Sequence, residues 1–389
     1  MKFNFDEIIN RQNTYSIKHN HKRSGMPEDA IALWVADMDF RTPPCITEVL
    51  RQQADHGIFG YSDPDNAYFD ILMSWYKRRF NWKTQKEWIV PTPGVVTAIH
   101  IAIEALTSIG DGVLISQPVY HPFSSAVTLT GRKLLVNELV CGEGGYTIDF
   151  DDFEEKAKQA KLFILCNPHN PVGRVWTVDE LTKIGEICLR NGVIVVSDEI
   201  HQDFVYLGHR HVVFENIDPK FAEITVTCTA PSKTFNIAGL PCSNIFISNP
   251  KLREKYKRQY SAFGLSQLGV MGIAACKAAY ESGEDWMTQM VDYISGNMTL
   301  IGKFLQEKVP QIKLIEPQGT YLAWLDCKAL GYDQKVLEHF MTNKAKLWLS
   351  TGTQFGSAGE GFQRVNVACP RSTIQEMLNR LEAAVKTGL

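Results

Sequence analysis

The sequence predicts an α/β protein: a large domain on a mostly parallel sheet, joined to a smaller α/β domain. Between residues 161 and 250, continuous runs rich in Val, Ile and Leu (KLFILCN, VIVVSDEI, ITVTCTA, NIFISN) alternate with helical patterning in TVDELTKIGEICLRNG. Strands that are apolar on both faces belong to a sheet covered by helices on both sides. Polar residues stand where these runs end, namely Asn167, Asn170, Asp198, Glu199 and Lys233. Ligands of parallel sheets bind off those carboxyl ends. Finally, 389 residues at 44% apolar and 21% charged exceed a comfortable single core, which predicts two domains.

In chain order, residues 1–30 are polar with little periodicity and read as an arm, followed by the short apolar run IALWVADMDF at 31–40. Pro44 in a first turn, with Ile46, Val49 and Leu50 on one face, predicts a helix from Pro43 to Asp55. The loop GIFGYSDPDN carries Tyr61, and a second helix spans Tyr68 to Arg79. IVPTPGVVTAIHIAIEAL reads as a strand, a turn at Gly94 and an apolar helix, and GVLISQ (112–117) as a strand leading to Tyr120. Thr177 with Glu180 three residues on opens the next helix, and Gly192 closes it. A polar helix follows from near Lys251, then one ending around Gly283 and a long amphipathic stretch from Trp286 to Val309. Strands IKLIEP and GTYLAWLD, a helix from Gln334 to Asn343, a Gly-rich loop at 352–361, strand FQRVNVACP and a closing helix complete the chain. The domain division expected is an N-terminal arm with part of the small domain at 1–49, a large domain at 50–285 and a C-terminal small domain at 286–389.

Composition excludes several classes of function. A net charge of -3 offers no basic face for nucleic acid, and the basic run at 19–23 is short and reads as solvated. The nine cysteines are scattered without a C-x-x-C pair, so neither disulfides nor zinc is expected. His209 and His211 flank Arg210 with no third ligand in view and read as a surface turn. The first residues lack an apolar leader core and no apolar run approaches ~18 residues, so a cytoplasmic protein without membrane contact is expected.

Lys233 lies in TAPSKTFNIAGL after an apolar run, among small and hydroxylic residues, and Asp198 ends VIVVSDEIH. Taken alone, Lys233 could be a solvated loop lysine. Paired with a second charged strand end, it suggests a built site, since a Schiff-base amine and a carboxylate for a pyridinium are what pyridoxal phosphate chemistry needs. The N–H groups of Val95 and Val96 behind Gly94 would suit a phosphate, or Gly94 makes only a tight turn. Tyr61 by itself reads as a locally packed loop aromatic.

NPHNPVGRVW, SDEIHQDF, PSKTFNIAGL and RVNVACPR occur in this order and spacing. With them the chain resembles the fold-type I pyridoxal phosphate enzymes of the aminotransferase superfamily over almost its whole length. WVADMDF, FGY and VPTPGVV make it look most like the bacterial cystathionine β-lyase (C-S lyase) branch. The resemblance implies that Lys233 holds the cofactor as a Schiff base and then serves as acid and base at the substrate Cα. It places Asp198 on the pyridine nitrogen, Asn170 on the phenolic oxygen and Tyr120 against the ring. Gly94, Val95, Val96 and Ser232 fall around the phosphate, Arg364 takes the substrate carboxylate bidentately, and Tyr61 reaches the neighbouring site of a homodimer. His201 stands where the common pattern has tyrosine, Pro241 where it has a phosphate-binding arginine, and Ala36 where it has glycine beside the substrate. The first two departures are usual in the lyase branch and favour it over transamination.

The expected activity is β-elimination of cystathionine, cysteine or a related S-conjugate to a thiol, pyruvate and ammonia. An aminotransferase of an amino acid on the same scaffold is the nearest alternative, and a cofactor-binding regulatory protein the alternative of another class. Against the latter stands the absence of an appended helix-turn-helix or basic module.

Overall fold

A computed structural model describes residues 1–20 and 25–388. Most of the basic run, His21 to Arg23, lies outside the described residues. The chain enters through β1 (Ile31–Ala32), then forms β2 (Ile89–Thr92), β3 (Gly112–Gln117), β4 (Lys133–Glu138) and the hairpin β5 (Val140–Gly142) and β6 (Gly145–Thr147). Next come β7 (Ala160–Cys166), β8 (Ile194–Asp198), β9 (Thr225–Thr229) and β10 (Ser243–Phe246). The C-terminal part adds β11 (Lys313–Leu314), β12 (Leu322–Asp326), β13 (Leu347–Trp348), β14 (Ser350–Thr351) and β15 (Phe362–Asn366).

The large sheet has seven strands in the order β2-β10-β9-β8-β7-β3-β4. Neighbours are parallel except where β10 lies antiparallel to both β2 and β9. The apolar runs are continuous because successive residues serve opposite faces. Leu162, Ile164 and Cys166 pack beneath the helix Val95–Leu106, while Phe163 and Leu165 pack with Leu181, Ile184 and Ile187 of the helix Val178–Asn191. Each fully buried side chain of this size contributes about 1.5–3 kcal/mol, so the two faces fix both register and helix placement. The Val178–Asn191 helix has the expected ends: the Thr177 and Glu180 side chains cap each other's backbone N–H, and Gly192 closes it left-handed at φ 66.

The smaller antiparallel sheet, β11-β12-β15-β14, is accompanied by the helices Glu284–Lys308 and Arg371–Thr387. Asn297 of the first is buried and donates to the carbonyls of Val367 and Cys369, tying that helix to the segment just past β15. β1 pairs in parallel with β13, Ile31 opposite Leu347, so the residues after the arm belong structurally to the C-terminal part. No helix among the described residues is long and apolar enough to cross a membrane.

Two sequence readings need refinement. The region expected as one helix to Asn343 is α-helical only to His339 and continues as a π-helix at Phe340–Lys344. The surface turn expected at 209–211 holds for His209, but His211 is buried, its Nε2 lying 2.8 Å from Oε2 of Glu199. Glu199 at the end of β8 accepts there from Ser197 Oγ and the Phe214 amide as well. A buried carboxylate needs such partners.

Candidate functional site

Where β7, β8 and β9 end, a cavity of about 200 Å³ opens, lined by Ala36, Gly94, Val95, Val96, Thr97, Tyr120, Cys166, Asn170, Asp198, Ile200, His201, Ser232 and Lys233. A larger, more open groove of about 490 Å³ runs along the helix Pro250–Ala262 beside Arg253, Lys257 and Arg258. Its lining, Glu254 among the basic side chains, comes from one helix and lacks the acid and amine groups that several elements converge on the smaller cavity, so the smaller one is the candidate site.

Lys233 sits on the short turn Pro231–Thr234 and donates from Nζ to the carbonyl of Ala36 at 2.7 Å. Burial, and next the charge of Arg364, lower its pKa from the usual 10.5 to about 8, while Asp37 and Asp198 pull it back. Asp198 closes β8, and its Oδ1 accepts from the Ile200 amide at 3.1 Å. Burial pushes its carboxyl up to about 7, opposed by that amide and by the Lys233 charge. His201 is buried and held neutral, its pKa lowered to about 3 by burial and by the charges of Lys233 and Arg364.

Arg364 is buried on β15. Its Nη1 donates to Asn170 Oδ1 at 3.1 Å, and its Nη2 donates to the Trp34 carbonyl at 2.8 Å and to Ser350 Oγ at 3.1 Å. Its Nε is buried with no acceptor among the described residues. Burial lowers even this guanidinium to about 10, so at neutral pH it remains a cation. With Asn170 Oδ1 accepting from Arg364, the amide N–H groups of that side chain remain as donors at the cavity wall.

Gly94 precedes the helix Val95–Leu106, and a Cβ built there would meet no protein atom within 4 Å, only open space. The amides of Val95 and Val96, in the first turn, have no intrahelical acceptors, and Ser232 stands in the same cavity wall. An anion cradle, an amine, a buried carboxylate and an aromatic ring from Tyr120 are the donor set pyridoxal phosphate requires; the residues present fit that cofactor. Tyr61 is not brought into the cavity of its own chain: it is 94% exposed in the loop after Gly57.

Sequence reading missed Thr97, Cys166 and Ile200 in the lining. Cys166 is the last residue of β7 and Ile200 stands two past Asp198, so extending the strand-end argument by one neighbour would have found both. It also missed Trp34, Ser350 and Tyr321, which are brought to the site by hydrogen bonds that span hundreds of residues: Arg364 to the Trp34 carbonyl, Ser350 Oγ to the same carbonyl, and Tyr321 to that of Ala36.

The family model for aminotransferase class I and II matches residues 28–381. The chain belongs to that family. It is 44% identical over 386 residues to the cystathionine beta-lyase PatB of Bacillus subtilis, covering 98% of this chain and 100% of that one. Among solved structures it matches cystalysin of Treponema denticola, which contains a pyridoxal phosphate cofactor, at 40% identity and a TM-score of 0.96, each chain covered in full (100%). A pyridoxal-phosphate-bound putative aminotransferase of Clostridium difficile matches equally well, with 40% identity, a TM-score of 0.96 and coverage of 99% of this chain and 100% of that one.

Proposed function

We propose that the protein is a pyridoxal-phosphate-dependent carbon-sulfur lyase that β-eliminates cystathionine or a related cysteine S-conjugate to a thiol, pyruvate and ammonia, working in the cytoplasm as a homodimer. The observation that carries the lyase reading is the 44% identity, over nearly the whole chain, to a cystathionine beta-lyase. His201 and Pro241, where aminotransferases commonly have tyrosine and arginine, support it.

When bound, pyridoxal phosphate supplies an electron sink for charge at the substrate Cα. In the proposed roles Lys233 holds it through Nζ, Asp198 faces the ring nitrogen, Asn170 offers an N–H to the ring oxygen, Tyr120 covers one face, and His201, held neutral, adds no competing cation beside the ring. Val95, Val96 and Ser232 hold the phosphate behind Gly94. Arg364 receives the α-carboxylate beside Ala36, and its hydrogen bonds to Trp34 and Ser350 keep the guanidinium plane fixed. Lys233, with a pKa near 8, is available in both protonation states at neutral pH. It takes the Cα proton, and the Cβ–S bond then breaks with the electron pair leaving on sulfur.

With L-cystathionine and no keto acid, sustained turnover is expected, giving homocysteine, pyruvate and ammonia in equal amounts. A transaminase in the same mixture would stop after about one turnover per site. Such a stop, relieved by added 2-oxoglutarate, would overturn the lyase reading and leave family and cofactor standing.

The homodimer reading is supported by the exposed loop itself, where Ile58 and Phe59 are 68% and 60% exposed beside Tyr61. Apolar residues so displayed favour a second copy as cover. Mixing inactive Lys233→Ala and Tyr61→Phe subunits should then restore activity in hybrids with one intact site. No recovery despite demonstrated subunit exchange would place Tyr61 outside the neighbouring site.

A further inference from the structure

The extended segment from Leu33 to Thr42 lies between the strand of Arg364 and the turn of Lys233, and from Val35 to Phe40 its backbone groups alternate between them. On one side, Val35 and Asp37 accept from Asn366 Nδ2 at 2.7 and 2.6 Å, and the Asp39 amide donates to the Ala368 carbonyl at 2.9 Å. On the other, Ala36 accepts from Lys233 Nζ at 2.7 Å, and Asn236 binds Met38 through both amide and carbonyl and also the carbonyl of Phe40. Tyr321 donates to the same Ala36 carbonyl at 2.8 Å.

The side chains of Asp37 and Asp39 leave this segment toward the N-terminal arm. Arg11 Nη2 lies 2.5 Å from Asp37 Oδ2, and Arg11 Nη1 lies 2.7 Å from Asp39 Oδ1 and 3.2 Å from the Met38 carbonyl. Lys18, fully buried, donates to Asp39 Oδ2 at 2.7 Å and to the Asp37 carbonyl at 3.3 Å, and His19 adds Nε2 at 3.2 Å from Asp39 Oδ1. Burial would raise the Asp39 carboxyl, but the Lys18 charge with hydrogen bonds from His19, Lys18 and Arg11 holds it well below the usual range. A wholly buried ammonium costs several kcal/mol unless paired, and here it is spent on a ten-residue segment with no other evident claim on it.

We infer that Arg11 and Lys18 are positioning residues for Lys233: by fixing Asp37 and Asp39 they hold the Ala36 carbonyl where it accepts from the Lys233 amine. The carbonyl gives the amine a fixed station whenever it is not attached to cofactor, with its proton directed along one line. The inference rests on Lys233 being the reacting amine.

Arg11→Lys tests it. One ammonium cannot span two carboxylates that now engage separate guanidinium nitrogens, so the clamp loosens while the charge stays. The charged groups facing Lys233 are Arg364 from β15, Asp37 from the segment and Asp198 from β8, with neutral His201 beside it; all of them remain in the variant. A shift therefore reports position and not charge. In the full chain freed of cofactor, acetylation of Lys233 by acetic anhydride is followed against pH by peptide mapping. Losing an acceptor for the ammonium should lower the midpoint by about half a pH unit. Arg41→Lys is the control: Arg41, at the far end of the segment, ties the same arm through Glu7 at 2.7 and 3.0 Å but bonds neither Asp37, Asp39 nor the Ala36 carbonyl. An Arg11→Lys midpoint within about 0.2 units of the parent, or an equal shift in Arg41→Lys, overturns the inference. No turnover is needed, so either result leaves the amine's own role to be judged by Lys233→Ala.

Discussion

Lys233→Ala is expected to lose at least about four orders of magnitude in turnover together with covalent retention of the cofactor, because a positioned acid-base amine and the covalent anchor disappear at once. Among the described residues no second lysine lines the candidate cavity. Borohydride treatment of the parent protein followed by peptide mapping should label residue 233 alone. Label on another lysine, or a variant within a hundredfold of the parent, would remove the organising residue from the site. The variant should fold, because the Ala36 carbonyl that accepts from the Lys233 amine also accepts from Tyr321, which remains.

Asp198→Asn should fold as well and lose about three orders of magnitude in rate. An opposite charge at ~4 Å is worth roughly 4 kcal/mol at an effective dielectric of 20, and about 1.4 kcal/mol corresponds to a decade. The cofactor-free protein should behave in the opposite sense. Burial raises the Asp198 carboxyl to about 7 in the folded chain, against ~3.9 when unfolded. Between those values the folded state holds the proton that the unfolded state has lost, so stability falls as pH rises through this window. Below ~4 both states are protonated and the penalty is absent; above about 7 it is complete. Asparagine carries no such penalty, so the cofactor-free variant should melt above the parent at pH 8 and close to it at pH 4. A rate loss under tenfold, or a cofactor-free variant that melts lower at pH 8, would show that the carboxylate does not serve a cation in the cavity.

Where each strand ends could be read from the sequence, because a strand apolar on both faces terminates visibly at its first charge. Asp198, Asn170, Lys233 and Arg364 were found that way or through motifs. Pairing was less legible: NIFISN looks like any other buried strand, and its antiparallel place between β2 and β9 is not encoded in its composition. The connection of residues 230–242 was a usable hint, being near the minimum for a crossover between parallel strands. His211, taken with His209 as a surface turn for want of a third ligand, is buried because its partner Glu199 stands at a strand end twelve residues upstream, a pairing no local pattern shows. The arm at 1–20 showed no periodicity for a related reason. Arg11 and Lys18 are fixed by carboxylates 21 to 28 residues away, and ion pairs of that separation leave no repeat.

The pairing of β1 with β13, Ile31 to Leu347, bears on how the protein is made. A ribosome adding about 5–20 residues per second releases the arm, and later the Lys233 turn, well before the strand that must hold both. For about 7 to 27 seconds at that rate, while residues 234 to 368 are added, the nascent chain carries the amine with the Ala36 segment braced on one side only. The segment between them gains its second neighbour only when residues 364–368 emerge. A truncated product lacking the last strand would keep the residues that line the cavity, all between Ala36 and Lys233, but lose Arg364 and the contacts of Asn366 and Ala368 that hold the Ala36 segment from its other side.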